Sequence, residues 1–371
     1  VPNLRFPEFQ GEWKEERLAD IADLYKGTGI SKDQLSDDGE PCILYGELYT
    51  KYKSETIREV ISKTNIDNTK LVRSKANDVI IPCSGETAED IATARCVLNG
   101  NILLGGDLNI IRLHGYDGSF MSYQLNGKRK YDIAKVAQGV SVVHLYGDHL
   151  KGVKTYNPCL EEQKKIAKLL SLIDERISTQ NKIIDKLQSL IKGIRHDIFK
   201  DIQGEALALS NIADIYQPQT ISSSDLTTEG YWVYGANGII GKYKEYNHET
   251  EQICITCRGN TCGTVNYTQP KVWITGNSMV INTDKYQRQV NKRFLFHYLS
   301  SYNFKSIVSG SGQPQIVRTP LEKTKVVLPT IEKQVRIANS IDIVSEKINT
   351  ESLVLRLLEN QKQYLLRQMF I

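Results

Sequence analysis

The chain has 371 residues, of which 40% are hydrophobic and 24% are charged, and its formal net charge is +4. This length predicts two or three domains, and the composition excludes collagen-like, mucin-like and wholly disordered proteins. The small net charge also excludes a histone-like polycation, so any binding to nucleic acid requires basic groups that are concentrated on one surface.

The distribution of apolar residues predicts neither a membrane span nor an export signal. No apolar run approaches the roughly 18 residues that a membrane-spanning helix needs. The first ten residues, VPNLRFPEFQ, lack an apolar signal core. The seven cysteines are scattered along the chain, which is typical of a reducing compartment. We therefore expect a cytoplasmic protein that has no membrane partner.

The two halves of the chain are related by an internal repeat, which bears directly on the architecture. Four blocks recur in the same order: DIADLY (20–25) and NIADIY (211–216), Tyr45-Gly46 and Tyr234-Gly235, IPCSG (81–85) and ITCRG (255–259), and NPCLEEQKKIAKLL (157–170) and LPTIEKQVRIANSI (328–341). The offset between the copies falls from 191 to 171 residues along the chain. This predicts a tandem duplication whose second copy is shorter, with most of the loss between Tyr45 and Ile81.

Each copy ends in a proline-free segment with an apolar period of 3.5 residues, which is typical of a coiled coil. Pro158 and Pro329 lie just upstream, where a helix can begin. The predicted seam consists of the following residues: Ile166, Leu170, Ile173, Ile177, Gln180, Ile184, Leu187, Ile337, Ile341, Val344, Ile348, Glu351, Leu355 and Leu358.

These two helices could pair within the chain or as a parallel zipper between two chains. A pseudo-twofold relation between the copies favours antiparallel pairing within the chain, with a globular half at each end. Gln180 and Glu351, equivalent under the offset of 171, should then approach each other at the centre of the seam and specify its register.

We therefore predict an α+β chain with two tandem globular domains that are separated by an antiparallel coiled coil of two long helices. The predicted boundaries are 1–157 and 204–328 for the globular domains and 158–203 and 329–371 for the helices. Within the globular domains, ANDVIIPCSG and EQICITCRG predict strands that end in turns, and YGANGIIGKY carries an Asn-Gly hairpin signal. Residues 288–305 predict a helix.

The motifs of common catalytic sites are missing. No phosphate-binding loop, no dinucleotide-binding glycine pattern and no nucleophile elbow occurs in the sequence. Residues 157–160 only faintly resemble the Asn-Pro-Pro-aromatic tetrad of amino-methyltransferases. Cys254 and Cys257 could suggest zinc with Cys262, but the first of them aligns with Ile80, which favours buried thiols on a strand. We expect neither a catalytic site nor a metal site in this chain.

Several segments together resemble type I restriction–modification specificity subunits. They are LRFPEFQGEWKEERLADIADLYKG, VYGANGIIGKY, SGSGQPQIVRTPLEKTKVVLPTIEKQVRIA and NPCLEEQKKIAKLLSLIDERI, and the resemblance covers the whole chain. It implies that each globular half is a target-recognition domain reading one half of a bipartite DNA site. It also implies a non-catalytic subunit that joins two methylation subunits, which use S-adenosylmethionine to methylate adenine at N6, and restriction subunits, which need ATP and Mg. No cofactor is expected on this chain itself.

Direct readout of DNA requires side chains that reach the edges of the bases, so donors and acceptors in turns are the candidates. In the second half they are Arg258, Asn260, Gln313, Gln315 and Arg318, and in the first half Ser84, Gln138, Ser141 and His144. Each could equally be an ordinary turn residue. Gln163 and Gln334, at equivalent places near the helix starts, are predicted on outward faces as docking points for the methylation subunits.

Two other kinds of function remain open at this point. The long helices could serve as a protein scaffold without reading DNA, or the chain could be an enzyme that acts on DNA alone. Sequence-dependent protection of DNA would argue against the scaffold, and the lack of product from the isolated chain would argue against the enzyme.

Overall fold

The computed structural model describes residues 1–67, 69–139, 142–236, 238–310 and 312–371. They form two compact units, one made of 1–181 with 353–371 and the other of 182–352. Each unit holds one globular head and parts of both long helices. The predicted boundaries at 158 and 329 therefore mark helix starts rather than the limits of compact units. No helix of the described residues is long and apolar enough to cross a membrane.

The first half of the chain contributes thirteen of the described strands. They are β1 (Lys14–Arg17), β2 (Ala22–Lys26), β3 (Leu35–Ser36), β4 (Glu40–Ile43), β5 (Thr56–Ile57), β6 (Ser62–Thr64), β7 (Asp78–Pro82), β8 (Ser84–Gly85), β9 (Arg95–Val97), β10 (Leu103–Leu104), β11 (Leu108–Leu113), β12 (Val143–His144) and β13 (Lys154–Asn157). Its helices are α1 (Leu18–Ile21), α2 (Glu47–Thr50), α3 (Ala88–Ile91), α4 (Gly118–Asn126), α5 (Lys130–Val136), α6 (Gly147–Lys151) and α7 (Leu160–Lys200).

The first head is built on a five-stranded sheet in the order β2-β11-β7-β9-β5. Strand β7, with the sequence DVIIP, is buried along its whole length, as the apolar run predicts. Helix α4 packs against β7 and β9, and its side chains Met121 and Leu125 belong to the same apolar core. A second sheet has the order β10-β4-β6-β3, and short pairs join β1 to β13 and β8 to β12.

The second half contributes eleven described strands. They are β14 (Glu205–Ala208), β15 (Asp214–Tyr216), β16 (Tyr231–Gly235), β17 (Gly238–Tyr243), β18 (Ile253–Thr256), β19 (Val265–Tyr267), β20 (Trp273–Ile274), β21 (Ser278–Asn282), β22 (Val308–Ser309), β23 (Gln315–Ile316) and β24 (Lys325–Leu328). Its helices are α8 (Lys292–Ser301), α9 (Arg318–Glu322) and α10 (Ile331–Gln368). Helix α8 is shorter than the predicted 288–305.

The second head repeats the plan of the first with fewer strands. Its sheets have the orders β15-β21-β18-β19 and β17-β16-β20, with short pairs β14-β24 and β22-β23. The predicted hairpin is present, since β16 and β17 pair antiparallel. Strands β3 and β5 of the first head have no counterpart among these sheets. The tandem duplication is therefore confirmed at the level of strand pairing.

One block of the predicted repeat is displaced by two residues. The amide of Gly105 donates to the carbonyl of Ile43 at 2.9 Å, and the amide of Thr275 donates to the carbonyl of Tyr234 at 2.9 Å. Ile43 therefore occupies the place of Tyr234, at an offset of 191. The predicted match of Tyr45-Gly46 with Tyr234-Gly235 is wrong, because a shared Tyr-Gly pair outweighed strand register in the sequence comparison.

The two long helices pair antiparallel within each unit. In the first unit, residues of α7 before Asp174 share an apolar core with residues of α10 after Lys362, and Asp174 lies 2.7 Å from the Lys362 ammonium. In the second unit, Phe199 near the end of α7 packs in one core with Ala338 near the start of α10. Pairing within the chain is thus confirmed over the parallel zipper. The helices begin at 160 and 331, two residues after Pro158 and Pro329.

All the predicted seam residues are at least partly buried. The buried ones are Ile166, Leu170, Ile173, Gln180, Ile184, Ile341 and Leu358, and the partly buried ones are Ile177, Leu187, Ile337, Val344, Ile348, Glu351 and Leu355. The carboxylate of Glu351 also forms an ion pair with Lys347, one turn earlier on the same helix. The approach of Gln180 to Glu351 stays a prediction.

Buried polar clusters join the head to the helices in each unit. In the first unit Tyr123 of α4 donates to Asp174 of α7 at 2.8 Å, and Lys362 of α10 contacts both Asp174 and Glu55. Burial opposes the charge of Lys362, but the two carboxylates outweigh it and raise the pKa of this ammonium. The buried guanidinium of Arg95 also interacts with Glu55 and Asp174, so this cluster combines two acids with two basic groups.

The second unit has the opposite balance around Asp342 of α10. Arg293 donates to Asp342 at 3.0 Å, and His297 of α8 lies 2.8 Å from the same carboxylate. Arg195 of α7 lies 3.0 Å from His297 Nδ1. Because a guanidinium can only donate, Nδ1 must be the acceptor and Nε2–H the donor. His297 and Tyr123 are equivalent in the repeat, so one anchoring position carries two different chemistries.

Candidate nucleic-acid interface

The candidate residues of the first head are brought together at the end of β7. Ser84 and His144 face each other in the short β8-β12 pair. Gln138 pairs with His144 on the side away from Ser84. The amide of Gln138 donates to the carbonyl of His144 at 2.9 Å, and the amide of His144 donates to the carbonyl of Gln138 at 2.7 Å. Ser141 lies outside the described residues. Backbone hydrogen bonds therefore hold Ser84, His144 and Gln138 in three adjacent segments.

The second head repeats this three-segment frame with different side chains. Arg258 faces Gln315 in a β-bridge, and Ser309 faces Gln315 from the other side. The pair of Arg258 with Gln315 corresponds in the repeat to that of Ser84 with His144. The pair of Ser309 with Gln315 corresponds to that of Gln138 with His144. The amide of Ile316 also donates to the carbonyl of Cys257 at 3.0 Å.

The side chains of the second frame are available to a ligand. Arg258, Asn260, Gln313 and Gln315 are all exposed. Arg318, the first residue of α9, is exposed as well, but its guanidinium bonds to Glu322 one turn later at 2.7 Å. Arg258, Gln313 and Gln315 are therefore stronger candidates for base contacts than Arg318, whose charge is partly neutralised within its own helix.

The first frame is less polar and more aromatic. Ser84 is buried, and its hydroxyl lies 3.2 Å from an Asp107 carboxylate oxygen. His144 stacks on Tyr146 with ring centroids 6.1 Å apart, and Tyr146 meets His149 edge to face at 5.5 Å. A stacked pair of exposed rings suits contacts with the flat faces or methyl groups of bases rather than bidentate hydrogen bonds.

Sequence reasoning missed the exposed apolar members of both frames. Val142 and Tyr146 flank His144 and are 52% and 53% exposed, and Val317 follows Gln315 with 44% exposure. The alternation of exposed and buried residues in 142–146 is a period of two, the signal of a half-buried strand. Reading that alternation would have placed Val142, His144 and Tyr146 on one face.

Gln163 and Gln334 do not lie on outward faces, so that part of the prediction is wrong. Gln163 is 1% exposed, and Gln334 is fully buried. Gln163 accepts from the amide of Asp117 at 2.9 Å and donates to the carbonyl of Pro158 at 2.8 Å. Its two polar groups are thus fully engaged inside the first unit, where burial would otherwise cost free energy.

Gln334 makes the same contacts in the second unit. It accepts from the amide of Asn291 at 2.8 Å and donates to the carbonyls of Pro329 and Gln289 at 2.9 and 3.0 Å. Asn291 caps α8 just as Asp117 caps α4. The repeated Glu-x-Gln signal near each helix start therefore marks the place where the long helix is tied to its head.

Cys254 and Cys257 are buried thiols, whereas Cys262 is only partly buried. Cys254 lies on β18 and is fully buried, and burial raises the pKa of its thiol to about 12. Cys257 is buried too, with its sulfur 3.1 Å from the carbonyl of Asn277. Among the described residues, no group of three or more His, Cys, Asp or Glu side chains is arranged to hold a metal ion.

Comparison with known proteins gives one family and several relatives. The family model described as "Type I restriction modification DNA specificity domain" matches residues 10–189 and 197–359. The MjaVIII specificity subunit of Methanocaldococcus jannaschii is 26% identical over 395 residues, which cover 93% of this chain and 88% of that protein. The EcoprrI specificity subunit of Escherichia coli is 28% identical over 147 residues, or 38% of this chain and 36% of that protein.

Solved structures show the same fold. The type I restriction-modification S subunit from M. genitalium aligns with a TM-score of 0.71 at 18% identity, covering 100% of this chain and 99% of that chain. A chain from a study of type I R-M complex assembly aligns with a TM-score of 0.56 at 14% identity, covering 97% of both chains.

Proposed function

Because the chain belongs to the family of type I restriction–modification DNA specificity domains, we propose that it is the non-catalytic subunit that recognises DNA in such a complex, each head reading one half of a bipartite site. The observation that carries this proposal is the duplicated frame. The same three backbone segments present Ser84, Gln138 and His144 in one head and Arg258, Ser309 and Gln315 in the other. One geometry with two sets of side chains suits two different half-sequences.

The chemistry of the second frame indicates how bases are read. An exposed arginine can bond to guanine through O6 and N7, and an exposed glutamine can bond to adenine through N6 and N7. Arg258 with Gln313 and Gln315 therefore supplies both kinds of contact. The first frame offers the exposed Gln138 for one such contact, together with His144 and the ring of Tyr146. We propose that the first half-sequence depends more on apolar and shape contacts than the second.

The partners in this proposal are two methylation subunits and restriction subunits. The methylation subunits would supply S-adenosylmethionine chemistry at adenine N6, and the restriction subunits would supply ATP- and Mg-dependent translocation and cleavage. This chain would contribute no reacting group. Its role is to place those subunits on a chosen sequence, in a cytoplasmic complex.

Methylome sequencing of a host that carries the chain with its methylation subunits tests the proposal. We expect one bipartite motif, with two fixed half-sequences and an unread gap of constant length. Footprinting of the same complex should protect both halves. Methylation without a motif, or no sequence-dependent protection, would leave the scaffold as the better account of the chain.

The constant gap has a structural basis in the long helices. Helix α7 is continuous over 41 residues, or about 60 Å at 1.5 Å per residue. The predicted boundary between the first long helix and the second head, at 203–204, lies inside the second unit, because Phe199 and Ile202 pack in that unit's core. The length-determining part lies nearer 181 and 353.

We therefore predict that four residues inserted after Asn181, together with four inserted before Leu353, lengthen the gap by about two base pairs. The insertion adds about 6 Å of helix and about 40° of rotation. Motif sequencing should return unchanged half-sequences at the longer gap. The matched control is an insertion at 202–205, which should leave the gap as it is. Altered half-sequences at the original gap would contradict the prediction.

A further inference from the structure

An exposed Ile-x-Lys segment occurs at the same place in both heads, although the sequence comparison does not show it. Strand β6 pairs with β4 so that Ser62 faces Cys42, and β17 pairs with β16 so that Gly241 faces Val233. Cys42 and Val233 are equivalent in the repeat, because they directly precede Ile43 and Tyr234, which match at an offset of 191. Residues 61–63 (ISK) and 240–242 (IGK) are therefore equivalent at an offset of 179.

The isoleucines of these segments are unusually exposed for apolar side chains. Ile61 is 58% exposed and Ile240 is 49% exposed, and Ile239 beside it is 48% exposed. The register of β16 with β17 shifts between Val233 and Tyr234, so Ile240 is the extra residue of a β-bulge. Bulges often redirect a side chain near functional sites. Two diverged heads that keep an exposed isoleucine at one position indicate a shared use.

Each isoleucine is followed two residues later by a lysine, and in the first head the alternation of the strand places Ile61 and Lys63 on the same side. Lys63 is exposed, and Ser62 and Thr64 alternate with it as buried residues. In the second head the Lys242 ammonium lies 4.8 Å from the centre of the Trp232 ring, which is itself 40% exposed. The hairpin 231–244 contains two lysines and no acidic residue. Its charge therefore complements a polyanion.

In the first head a short loop links the sheet that contains β4 and β6 to the candidate frame, which follows β7 of the other sheet. The amide of Gly105 donates to the carbonyl of Ile43, at the end of β4. Two residues later, the carbonyl of Asp107 accepts from the amide of Cys83 at 2.7 Å, directly before Ser84. The short loop 105–107 thus connects the end of β4 with the frame. Strand β6 begins beside that end of β4.

The second head repeats that connection. Thr275 donates to the carbonyl of Tyr234, and the carbonyl of Asn277 accepts from the amide of Cys257 at 3.1 Å, directly before Arg258. In addition, the hydroxyl of Thr256 donates to the carbonyl of Ala236, which follows β16 in the turn of the hairpin. In both heads the strand that pairs with the Ile-x-Lys segment is therefore joined to the frame through one short loop.

We propose that these Ile-x-Lys segments are a second DNA-contacting element, one in each head, which rests on the proposed function. Ile61 and Ile240 contact the C5-methyl group of a thymine in the major groove, which is wide enough for a two-stranded ribbon. Lys63 and Lys242 contact an adjacent phosphate. The element reads thymine by an apolar contact with its methyl group, in addition to the contacts of the frame.

Replacement of thymine by deoxyuridine tests the proposal, because it removes only the methyl group. Half-sites are first defined by selection from random duplexes with the wild-type chain and its methylation subunits. Duplexes with deoxyuridine at each thymine position of one half-site are then titrated against wild type, Ile61→Thr and Ile240→Thr. Threonine keeps the β-branch, so the strand is preserved, and melting temperatures check the fold.

We expect one deoxyuridine in each half-site to weaken wild-type binding about 3- to 5-fold, the effect of one lost buried methyl group. Ile61→Thr should lose that sensitivity in one half-site only, and Ile240→Thr in the other only, so each variant is the control of the other. Lys63→Gln and Lys242→Gln should each lower the slope of log K against log salt by about 1.

Three results would overturn the inference: no deoxyuridine effect in wild type, an undiminished effect in both variants, or both variants acting on the same half-site. Weaker association with the methylation subunits at unchanged deoxyuridine sensitivity would assign the surface to a protein partner instead. If a threonine variant does not fold, Ile→Val at the same position is used on the same criteria, with a smaller expected loss. A wild-type complex that selects no sequence would reject the proposed function itself, and is distinguishable from these results.

Discussion

The two heads differ most where they are built most alike. In both, a buried central strand ends beside a three-segment frame that is held by the same backbone hydrogen bonds. One frame presents Ser84 and His144, with Tyr146 stacked on the imidazole, and the other presents Arg258 and Gln315. Because main-chain bonds need no particular side chain, the geometry persists while the recognition surface changes. A duplicated gene can thereby read two unrelated half-sequences without a new fold.

The buried polar clusters that anchor each head to the long helices also place different side chains at equivalent positions. Here the difference has larger energetic consequences. Tyr123 and His297 are equivalent, yet the first unit surrounds its anchor with two carboxylates, Lys362 and Arg95, and the second with one carboxylate and two arginines. The units should therefore respond differently to charge changes and to acid. Their tryptophans allow each to be followed separately, since Trp13 lies in the first unit and Trp232 and Trp273 in the second.

The largest expected effect is that of Lys362→Met on the first unit. The substitution leaves Glu55 and Asp174 buried together without their cation, which typically costs about 3–5 kcal/mol of unfolding free energy. Urea unfolding followed by Trp13 fluorescence, in a chain with both other tryptophans changed to Phe, measures it. Lys151→Met is the control, because this lysine lies in the same unit, is exposed and pairs only with the exposed Asp148, so its removal should cost less than about 0.5 kcal/mol. Equal losses would mean that the ion pairs of Lys362 do not stabilise the first unit.

Acid should destabilise the second unit through His297. Burial lowers the pKa of His297 to about 4; the hydrogen bond to Asp342 opposes this, and the nearby Arg195 reinforces it. The unfolded chain, with a histidine pKa of about 6.5, binds the proton first as pH falls, so stability is full above pH 6.5 and decreases towards pH 4. The loss from this group is about 2 kcal/mol at pH 5, because protonation of Nδ1 would oppose the Arg195 donor.

His297→Gln should remove that part of the pH dependence. The glutamine amide can still donate to Asp342 and accept from Arg195. Unfolding at pH 7.5 and pH 5.0 in a Trp13→Phe background measures the second unit alone. His248, whose pKa burial also lowers to about 4, remains in the variant and should keep a smaller slope. An unchanged slope in the variant would show that His297 does not titrate in this window.

The frames themselves can be exchanged. Arg258→Ser with Gln315→His gives the second frame the side chains of the first at these positions. We expect the second half-sequence to lose specificity at one or two base pairs, at about 1–3 kcal/mol per lost bidentate contact. Motif sequencing of the assembled complex measures the change, and the first half-sequence is the internal control. A changed first half-sequence would refute the assignment of one head to one half-site.

The glutamines that tie each long helix to its head test the likeness of the two units. Gln163→Met and Gln334→Met leave buried backbone groups unpaired, which costs about 1–3 kcal/mol. Gln334→Met should cost more, since Gln334 makes three such bonds and Gln163 two. Folded variants should bind methylation subunits as wild type does. Lost binding by a folded variant would restore the docking role.

The sequence alone predicted the elements with strong periodicity. The seam residues from Ile166 to Leu358 and the buried strands β7 and β18 carry their own signals, a 3.5-residue period and an unbroken apolar run. The equivalence of Ile61 and Ile240 could not be predicted from the sequence. In the first head 18 residues separate Ile43 from Ser62, whereas in the second head a tight hairpin joins the corresponding strands. Gln163 and Gln334 were misplaced because a polar side chain near a helix start has the same pattern whether it faces solvent or a buried amide.

The division of both long helices between the units has a consequence for synthesis. Residues 182–352 form the second unit as one uninterrupted segment, whereas the first unit needs residues 353–371. Phe370 lies 5.2 Å from Phe120 and 6.4 Å from Trp13, within the core that seals the first head to its helix. Domains fold as their residues leave the ribosome. The head that is translated first is therefore completed last, and a chain arrested near residue 352 would hold a finished second unit beside an open first one.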